Sequence, residues 1–342
     1  MRLTLDLDVQ RAVVEAMGDQ RGAAVVISIP DGGVLSLVSL PTYDPNQLDA
    51  NWEGLRDDPG RPFFNRVLQG GYQPGGTLQT PLMAAALLLG EPLDLPMDEA
   101  AAPLSLDGLT LDCAVRLPPD LALTLRESYT FACPTPFAAL AADLGSETVA
   151  SMLDTFRLDE TIALPGYLNL DEATAEPSSV PFPTDDVSLI EMALGQGELT
   201  ISPLNMATMA GAIVNDGNAP QPYTLLATRS PDGEWLPDTT IRPTLPVATA
   251  NTARRLQDLM RAAVATGAAQ NAGRPALDIG GHAALAYAGE SSQAWFIGFA
   301  TLGGRRSAAV AVVLENSQDP GLAADIGGAA LAAARQSLND TP

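Results

Sequence analysis

An α/β fold, with one sheet built from both ends of the chain and a helical lobe in the middle, is what the sequence predicts. Three observations predict it. Near the N-terminus two β-rich runs, Ala23 to Ile29 and Val34 to Leu40, flank the turn Pro30-Asp31-Gly32-Gly33, a hairpin signal. Near the C-terminus three more strand-like runs follow one another: His282 to Ala288, Trp295 to Ala300 and Ser307 to Leu314. Between these ends lie segments of helical length and composition. Strands at both ends can share a sheet only if the middle of the chain folds beside it. The expected organisation is one domain over 1–342, with a sheet lobe from about 1–70 and 250–342 and a helical lobe at about 75–245.

The elements follow in order. Asp8 to Ala16 reads as a helix with Asp8 as N-cap and apolar residues at Val9, Ala12, Val13 and Ala16. After the hairpin, Pro41 to Phe63 is rich in Pro, Asp and Asn and reads as loop. Tyr43 and Trp52 fall within it as packed anchors. Thr77 to Leu89 has the composition of a buried helix, entered through Gly75-Gly76 and ended by Gly90. Leu121 to Gly145 is helical but interrupted by Pro134 and Pro136. Val187 to Gly195, Pro203 to Asn215 and Thr252 to Ala265 are further helices, and Ile326 to Leu338 closes the chain as an Ala-rich one. Arg254, Arg255 and Arg261 on the third of these are expected to pair locally with acidic neighbours.

Composition narrows the function. The chain is 46% hydrophobic and 17% charged, a globular balance. Its net charge of −23 argues against nucleic acid and anionic membrane surfaces as partners. All 18 basic residues are arginine; there is no lysine. No window is apolar for long enough to cross a bilayer, and the acidic N-terminus does not read as a signal peptide, so membrane attachment would need an anchor outside this chain. Cys113 and Cys133 either pair, which requires an oxidising compartment, or stand as two small buried hydrophobes. With one histidine, His282, and two separated cysteines, no metal-ligand spacing is present. Neither a metal nor a cofactor is expected. His282 reads as a solvated residue at a strand start, too far from Ser291 to act on it.

Three stretches carry a resemblance to a known family: Tyr72-Gln73-Pro74-Gly75-Gly76-Thr77-Leu78-Gln79-Thr80-Pro81, then Ala132-Cys133-Pro134-Thr135-Pro136-Phe137, then Tyr287-Ala288-Gly289-Glu290-Ser291 with Ala294-Trp295-Phe296-Ile297-Gly298-Phe299 after it. Between the second and third, Gly195-Gln196-Gly197 leads into Ser202-Pro203-Leu204-Asn205-Met206-Ala207. In this order the blocks resemble the penicillin-binding protein transpeptidase domain, of the serine D,D-transpeptidase and β-lactamase-like superfamily. The resemblance spans nearly the whole chain. It implies an antiparallel sheet of about five strands flanked by helices, with an all-helical lobe. It also implies work on peptidoglycan in the cell envelope, on the extracytoplasmic side of the membrane.

The same resemblance locates what the chain lacks. The family's three sites are S-x-x-K, S-x-N and K-T-G, supplying a nucleophilic Ser, its proton-handling Lys and the oxyanion-side strand. Here they read Gly76 and Gln79, Ala132 and Pro134, and Tyr287, Ala288 and Gly289. Gly76 offers no nucleophile, and Gln79 hydrogen-bonds but takes up no proton near neutrality. Drift from Lys to Arg would leave Arg at the lysine positions, which Gln79 and Tyr287 are not. No catalytic residue is therefore expected, and Thr77, Glu290, Ser291, Tyr72 and Gln196 are candidates to line a binding groove. The expected function is a pseudo-transpeptidase that scaffolds a cell-wall synthesis or division protein, or binds a peptidoglycan stem peptide. The alternative is a family enzyme or peptide-binding module with relocated residues.

Overall fold

The computed structural model describes residues 1–164, 178–289, 291–304 and 306–340, with side chains up to 338. Five strands form its central sheet: β1 (Gly22–Ile29), β2 (Val34–Leu40), β3 (Asp278–Ala288), β4 (Ser291–Gly303) and β5 (Arg306–Glu315). The order is β3-β4-β5-β1-β2 and every pairing is antiparallel. The hairpin from the N-terminal part of the chain thus completes a sheet begun by three C-terminal strands, with Val310 opposite Val26.

Both faces of this sheet are covered, which is why its strands read as apolar runs. Alternate residues go to opposite sides. Val25, Ile27, Trp295, Ile297, Phe299, Ala311 and Val313 join one core, together with the apolar residues of the helical middle. Ala24, Val26, Phe296, Val310 and Val312 join the other, against α1 (Leu7–Met17) and the closing C-terminal helix, Pro320–Asp340. Asp6 caps α1, its carboxylate accepting from the N–H groups of Asp8 and Val9. The cap is thus two residues earlier than the sequence suggests, because Leu7 already has helical geometry.

The stretch expected to be loop between β2 and the first motif contains α2 (Leu48–Arg56), preceded by a 3-10 turn that Asp44 caps. Trp52 and Tyr43 both pack on Phe63, with ring centroids 5.5 and 4.8 Å away. Leu48, Trp52 and Leu55 line one face of this helix, but it buries no residue completely, and its Pro-, Asp- and Asn-rich surroundings masked the stripe.

The helical middle comprises α3 (Gln79–Leu89), α4 (Leu125–Phe131), α5 (Thr135–Thr155), α6 (Asp186–Ala193) and α7 (Pro203–Val214). The last lies across β4, β5 and β1. Then α8 (Ala250–Thr266) runs along β3, and α9 (Pro320–Asp340) crosses the opposite face. Arg254 pairs with Asp216, and Arg261 pairs with Asp258 and with Asp278 at the start of β3.

Candidate functional site

Gly75–Leu78 form a 3-10 turn leading into α3, and this turn is seated on the edge strand β3. Gly75 has φ 56°, and a Cβ there would lie 2.1 Å from the carbonyl oxygen of Leu285. No residue with a side chain fits that approach. On the other side, the Gly75 N–H donates to Gly195 O at 2.9 Å. A Cβ on Gly195 would stand 2.4 Å from the Gly75 nitrogen. Two glycines thus bring the G-Q-G loop, the first-motif turn and the third-motif strand into direct backbone contact.

Gly76, which the sequence resemblance sets at the family's nucleophile position, has no such conformational demand. A Cβ there would meet the Ala284 Cβ at 2.9 Å, closer than methyl groups approach, with the Gln79 amide 3.6 Å away. Gln79 is 1% exposed, and its Nε2 donates to Cys133 O at 3.1 Å. That bond ties the first motif to the second. Gln79 Oε1, pointing the other way from the amide, has no hydrogen-bond partner among the described residues.

At the second motif Ala132 ends α4 in the left-handed conformation, φ 51°, and Pro134 begins α5. Cys133 between them is joined by a disulfide to Cys113, which resolves the two possibilities the sequence left open. The bridge brings the segment around Leu111, Asp112 and Ala114 against the motif, and these residues line one wall of the cleft.

At the third motif the Tyr287 N–H donates to Gln196 Oε1 at 3.1 Å. Burial, and after it the nearby Asp112 carboxylate, push the Tyr287 phenol above its ordinary pKa. Ala288 and Gly289 lead out of β3, and Ser291 is exposed where β4 begins, opposite Ala288. Ser292 is buried opposite Tyr287. Glu290 lies outside the described residues.

The motif positions therefore do converge. Gly76, Gln79, Ala132, Pro134, Gln196, Leu285 and Tyr287 line one cleft, whose free space is about 20 Å³, close to the room one water needs.

Of the described groove candidates only Gln196 lines this cleft; Ser291 does not, and two more are turned elsewhere. Thr77 is fully buried and donates to Pro74 O at 2.6 Å, so its hydroxyl serves the turn. Tyr72 is 6% exposed and its hydroxyl donates to Glu315 Oε1 at 2.8 Å. Glu315 also takes the buried Arg66 guanidinium, at 2.8 Å, and that of Arg21. The Tyr72 ring sits edge-on to Trp295, whose indole N–H donates to Gln73 O at 2.9 Å. These contacts hold the Tyr72–Gln73 segment that opens the first motif against β4.

His282 is corrected most. It is fully buried, not solvated. Its Nε2 donates to Gly76 O at 3.2 Å, and its ring stacks 4.2 Å from that of Tyr129. Burial drives its pKa down to about 3, the bond to Gly76 opposing only in part, so the ring is neutral. The signal was in the strand period: β3 begins at Asp278, four residues earlier than expected, which makes His282 an interior position on the face of Ala284 and Ala286. Asp112 was not singled out from sequence, because long-range contacts, the disulfide and the Ala114 N–H donating to Phe131 O, carry its loop to the cleft.

Side chains on the described lining that bear polar groups are Gln79, Asp112, Gln196 and Tyr287. The site holds no nucleophile at the first motif and no cation among the residues lining the cleft. Among the described residues no cluster of His, Cys, Asp and Glu could hold a metal.

Relatives agree with this architecture. The penicillin binding protein transpeptidase domain family matches residues 22–338. Peptidoglycan D,D-transpeptidase PbpA of Mycolicibacterium smegmatis is 32% identical, over 97% of this chain and 71% of that protein. The protein of the same name from Mycobacterium tuberculosis is 30% identical, over 97% and 72%. Penicillin-binding protein A from M. tuberculosis, solved as an imipenem acyl-enzyme complex, superposes with a TM-score of 0.85 at 31% identity, covering 97% of this chain and 78% of that one. The D,D-transpeptidase domain of a peptidoglycan glycosyltransferase from Eggerthella lenta, at 24% identity and a TM-score of 0.84, shares the fold. By sequence, by fold and by the convergence of its three motif positions, this chain belongs to the penicillin-binding protein transpeptidase domain family.

Proposed function

We propose that this domain serves in peptidoglycan synthesis at the cell envelope as a non-acylating member of its family, acting by binding rather than by acyl transfer. One observation carries the reading: the Ala284 methyl stands 2.9 Å from where the Cβ of a nucleophile at position 76 would be. The site lacks the serine and has closed on its absence. The lost lysines fit the same account, since Gln79 now ties the first motif to Cys133 by a hydrogen bond that needs no charge.

A scaffold for a cell-wall synthesis or division protein is favoured over capture of a stem peptide along β3. A peptide adding to that edge would use the outward N–H of Tyr287, which Gln196 already holds. The disulfide supports a location outside the cytoplasm. The division into a sheet lobe and a helical lobe belongs to the same proposal, with the cleft at their junction.

A second reading is a working transpeptidase with relocated residues. Relatives 30–32% identical over 97% of the chain are named D,D-transpeptidases, and Ser291, Ser292 and Tyr287 are hydroxyls at or near the third motif. Intact-mass measurement after incubation with excess reactive β-lactam separates the two. Unchanged mass is expected. A stoichiometric adduct would overturn the proposal, and the modified residue would name the relocated nucleophile.

A further inference from the structure

On a chain with 41 acidic residues, surface arginines readily find carboxylates, and Arg11, Arg56, Arg126 and Arg254 each form an ion pair. Arg2 and Arg229 do not. Both are exposed, and neither forms an ion pair among the described residues. Instead they share one indole: the guanidinium carbon of Arg2 lies 4.2 Å from a Trp235 ring centroid, and that of Arg229 5.9 Å. A small three-stranded sheet of Arg2–Leu3, Leu225–Arg229 and Trp235–Pro237 brings them together. In it Trp235 stands opposite Arg229, and Arg2 opposite Ala227. Opposed residues, and alternate residues of one strand, share a face. Asp232 and Glu234, on the turn joining the last two strands, pair with neither arginine. Arg229 gives its Nε–H to Gly233 O at 3.0 Å, which leaves its terminal N–H groups for a ligand.

Two guanidinium groups at one ring repel each other, and cation–π attraction at an exposed site returns only about 0.5–1 kcal/mol for each. An anion there removes the repulsion, and a carboxylate meets a guanidinium in a bidentate pair. Leu3, Leu226, Trp235 and Leu236 of the same sheet are 38–51% exposed, so the ligand carries apolar groups as well as negative charge. Charge narrows its source. At −23 the chain as a whole repels nucleic acid, an anionic membrane and a second copy of itself. What can approach is a locally acidic segment of a protein that is not strongly acidic overall. Tryptophan and arginine are also the side chains on which protein interfaces most often depend. The edge strand ends in Pro237, which has no N–H to give an added strand, so recognition falls to the side chains of the face.

We propose that the face formed by Arg2, Trp235 and Arg229 docks a protein segment in which carboxylate and apolar residues alternate. The two guanidinium groups take the carboxylates, and the apolar residues lie against Trp235 and the leucines of the sheet. None of these residues lines the motif cleft. The surface gives the scaffold reading a place of attachment, and it rests on that reading for the partner's being a protein.

The test is an NMR titration of the full chain, following the indole N–H of Trp235, which Trp235→Phe identifies among the three tryptophans. The probe is a capped pentapeptide of alternating valine and glutamate. Its controls are the same peptide with glutamine for glutamate, inorganic phosphate, and phosphatidylglycerol vesicles. Saturable shifts are expected with the glutamate peptide alone. Arg2→Gln and Arg229→Gln, both at exposed positions, should each weaken binding about fivefold, and the double variant more than either. No saturable shift with the glutamate peptide, equal binding of the glutamine peptide, or unchanged affinity in the double variant would overturn the proposal. Saturation by phosphate or by the vesicles would overturn it too, since the face would then be an anion or lipid site. Failure here is distinct from failure of the non-acylating reading, which a β-lactam adduct alone decides.

Discussion

Gly75 and Gly76 are adjacent, yet they are glycine for different reasons. Gly75 is demanded by the framework: its φ of 56° and the carbonyl of Leu285, 2.1 Å from an added Cβ, leave no alternative. Gly76 has ordinary backbone geometry, and its obstacle is a single methyl group, that of Ala284. One side of this turn is the scaffold that sets three chain segments against each other. The other is where the reacting group of the family stands. If the proposed reading holds, the scaffold side is kept for shape and the reacting side is not used for acyl transfer.

The comparison can be broken by putting an alanine at each position in turn. Gly75→Ala should cost about 4 kcal/mol or prevent folding, since backbone must move at a left-handed residue. Gly76→Ala should cost only about 1.5 kcal/mol, the ordinary penalty of overpacking one methyl. Denaturant unfolding of both variants decides. Equal costs would mean that position 76 is as constrained as position 75 and that its glycine says nothing about lost chemistry.

A second variant sharpens the scaffold side. Arg66 is fully buried; its Nε–H donates to Glu315, and its NH2 group donates to Gly60 O at 2.6 Å. Tyr72, the residue that opens the first motif, donates to the same carboxylate. Burial and then the Glu315 charge push its phenol well above the ordinary value. Glu315→Gln leaves the Arg66 charge uncompensated inside the protein and should cost about 3 kcal/mol, again by denaturant unfolding. A loss below about 1 kcal/mol would show the network to be dispensable, and Tyr72 would no longer count as framework.

Much of this was legible in the sequence because it lies in local pattern. The hairpin 22–40 and most helices from Gln79 onward follow from apolar runs and their Gly and Pro boundaries; the exception is α5, expected to end at Gly145, which breaks there and runs on to Thr155. Motif order alone placed Gly76, Ala132 and Tyr287 in one cleft. What the sequence did not yield depends on contacts between distant residues. Thr77 and Tyr72 carry groove-like hydroxyls, but whether a hydroxyl faces solvent or a carbonyl is decided by the turn at Pro74 and by Glu315, 243 residues further on. Helix α2 was hidden by Asp and Asn, which favour turns as strongly as they cap helices. Asp112 enters the cleft through the bridge of Cys113 to Cys133 and the Ala114 N–H bond to Phe131 O.

His282 joins the two sides of the comparison, and it yields the smallest effect. Its Nε2–H donates to the carbonyl of Gly76, and its neutral ring is stacked on Tyr129. The folded-state pKa of about 3 lies below the 6.5 of an unconstrained histidine. Between those values the unfolded chain binds a proton that the folded chain refuses. Stability from this group is therefore fully present above pH 6.5 and declines as pH falls toward 3, with a slope approaching 1.4 kcal/mol per unit, roughly. Asp278 acts in a different window. Hydrogen bonding to Arg261 holds its carboxyl below the ordinary value, so its contribution is present above about pH 4 and lost below. Between pH 6.5 and 4.5 Asp278 stays charged, and comparing unfolding free energies with a variant lacking the ring cancels other groups such as Glu191, whose carboxyl pKa burial raises. The wild-type chain should lose about 2 kcal/mol more than His282→Gln over that interval. Parallel curves would mean that the folded protein accepts the proton, and a ring able to charge beneath Gly76 would return a proton-handling group to a site that otherwise has none.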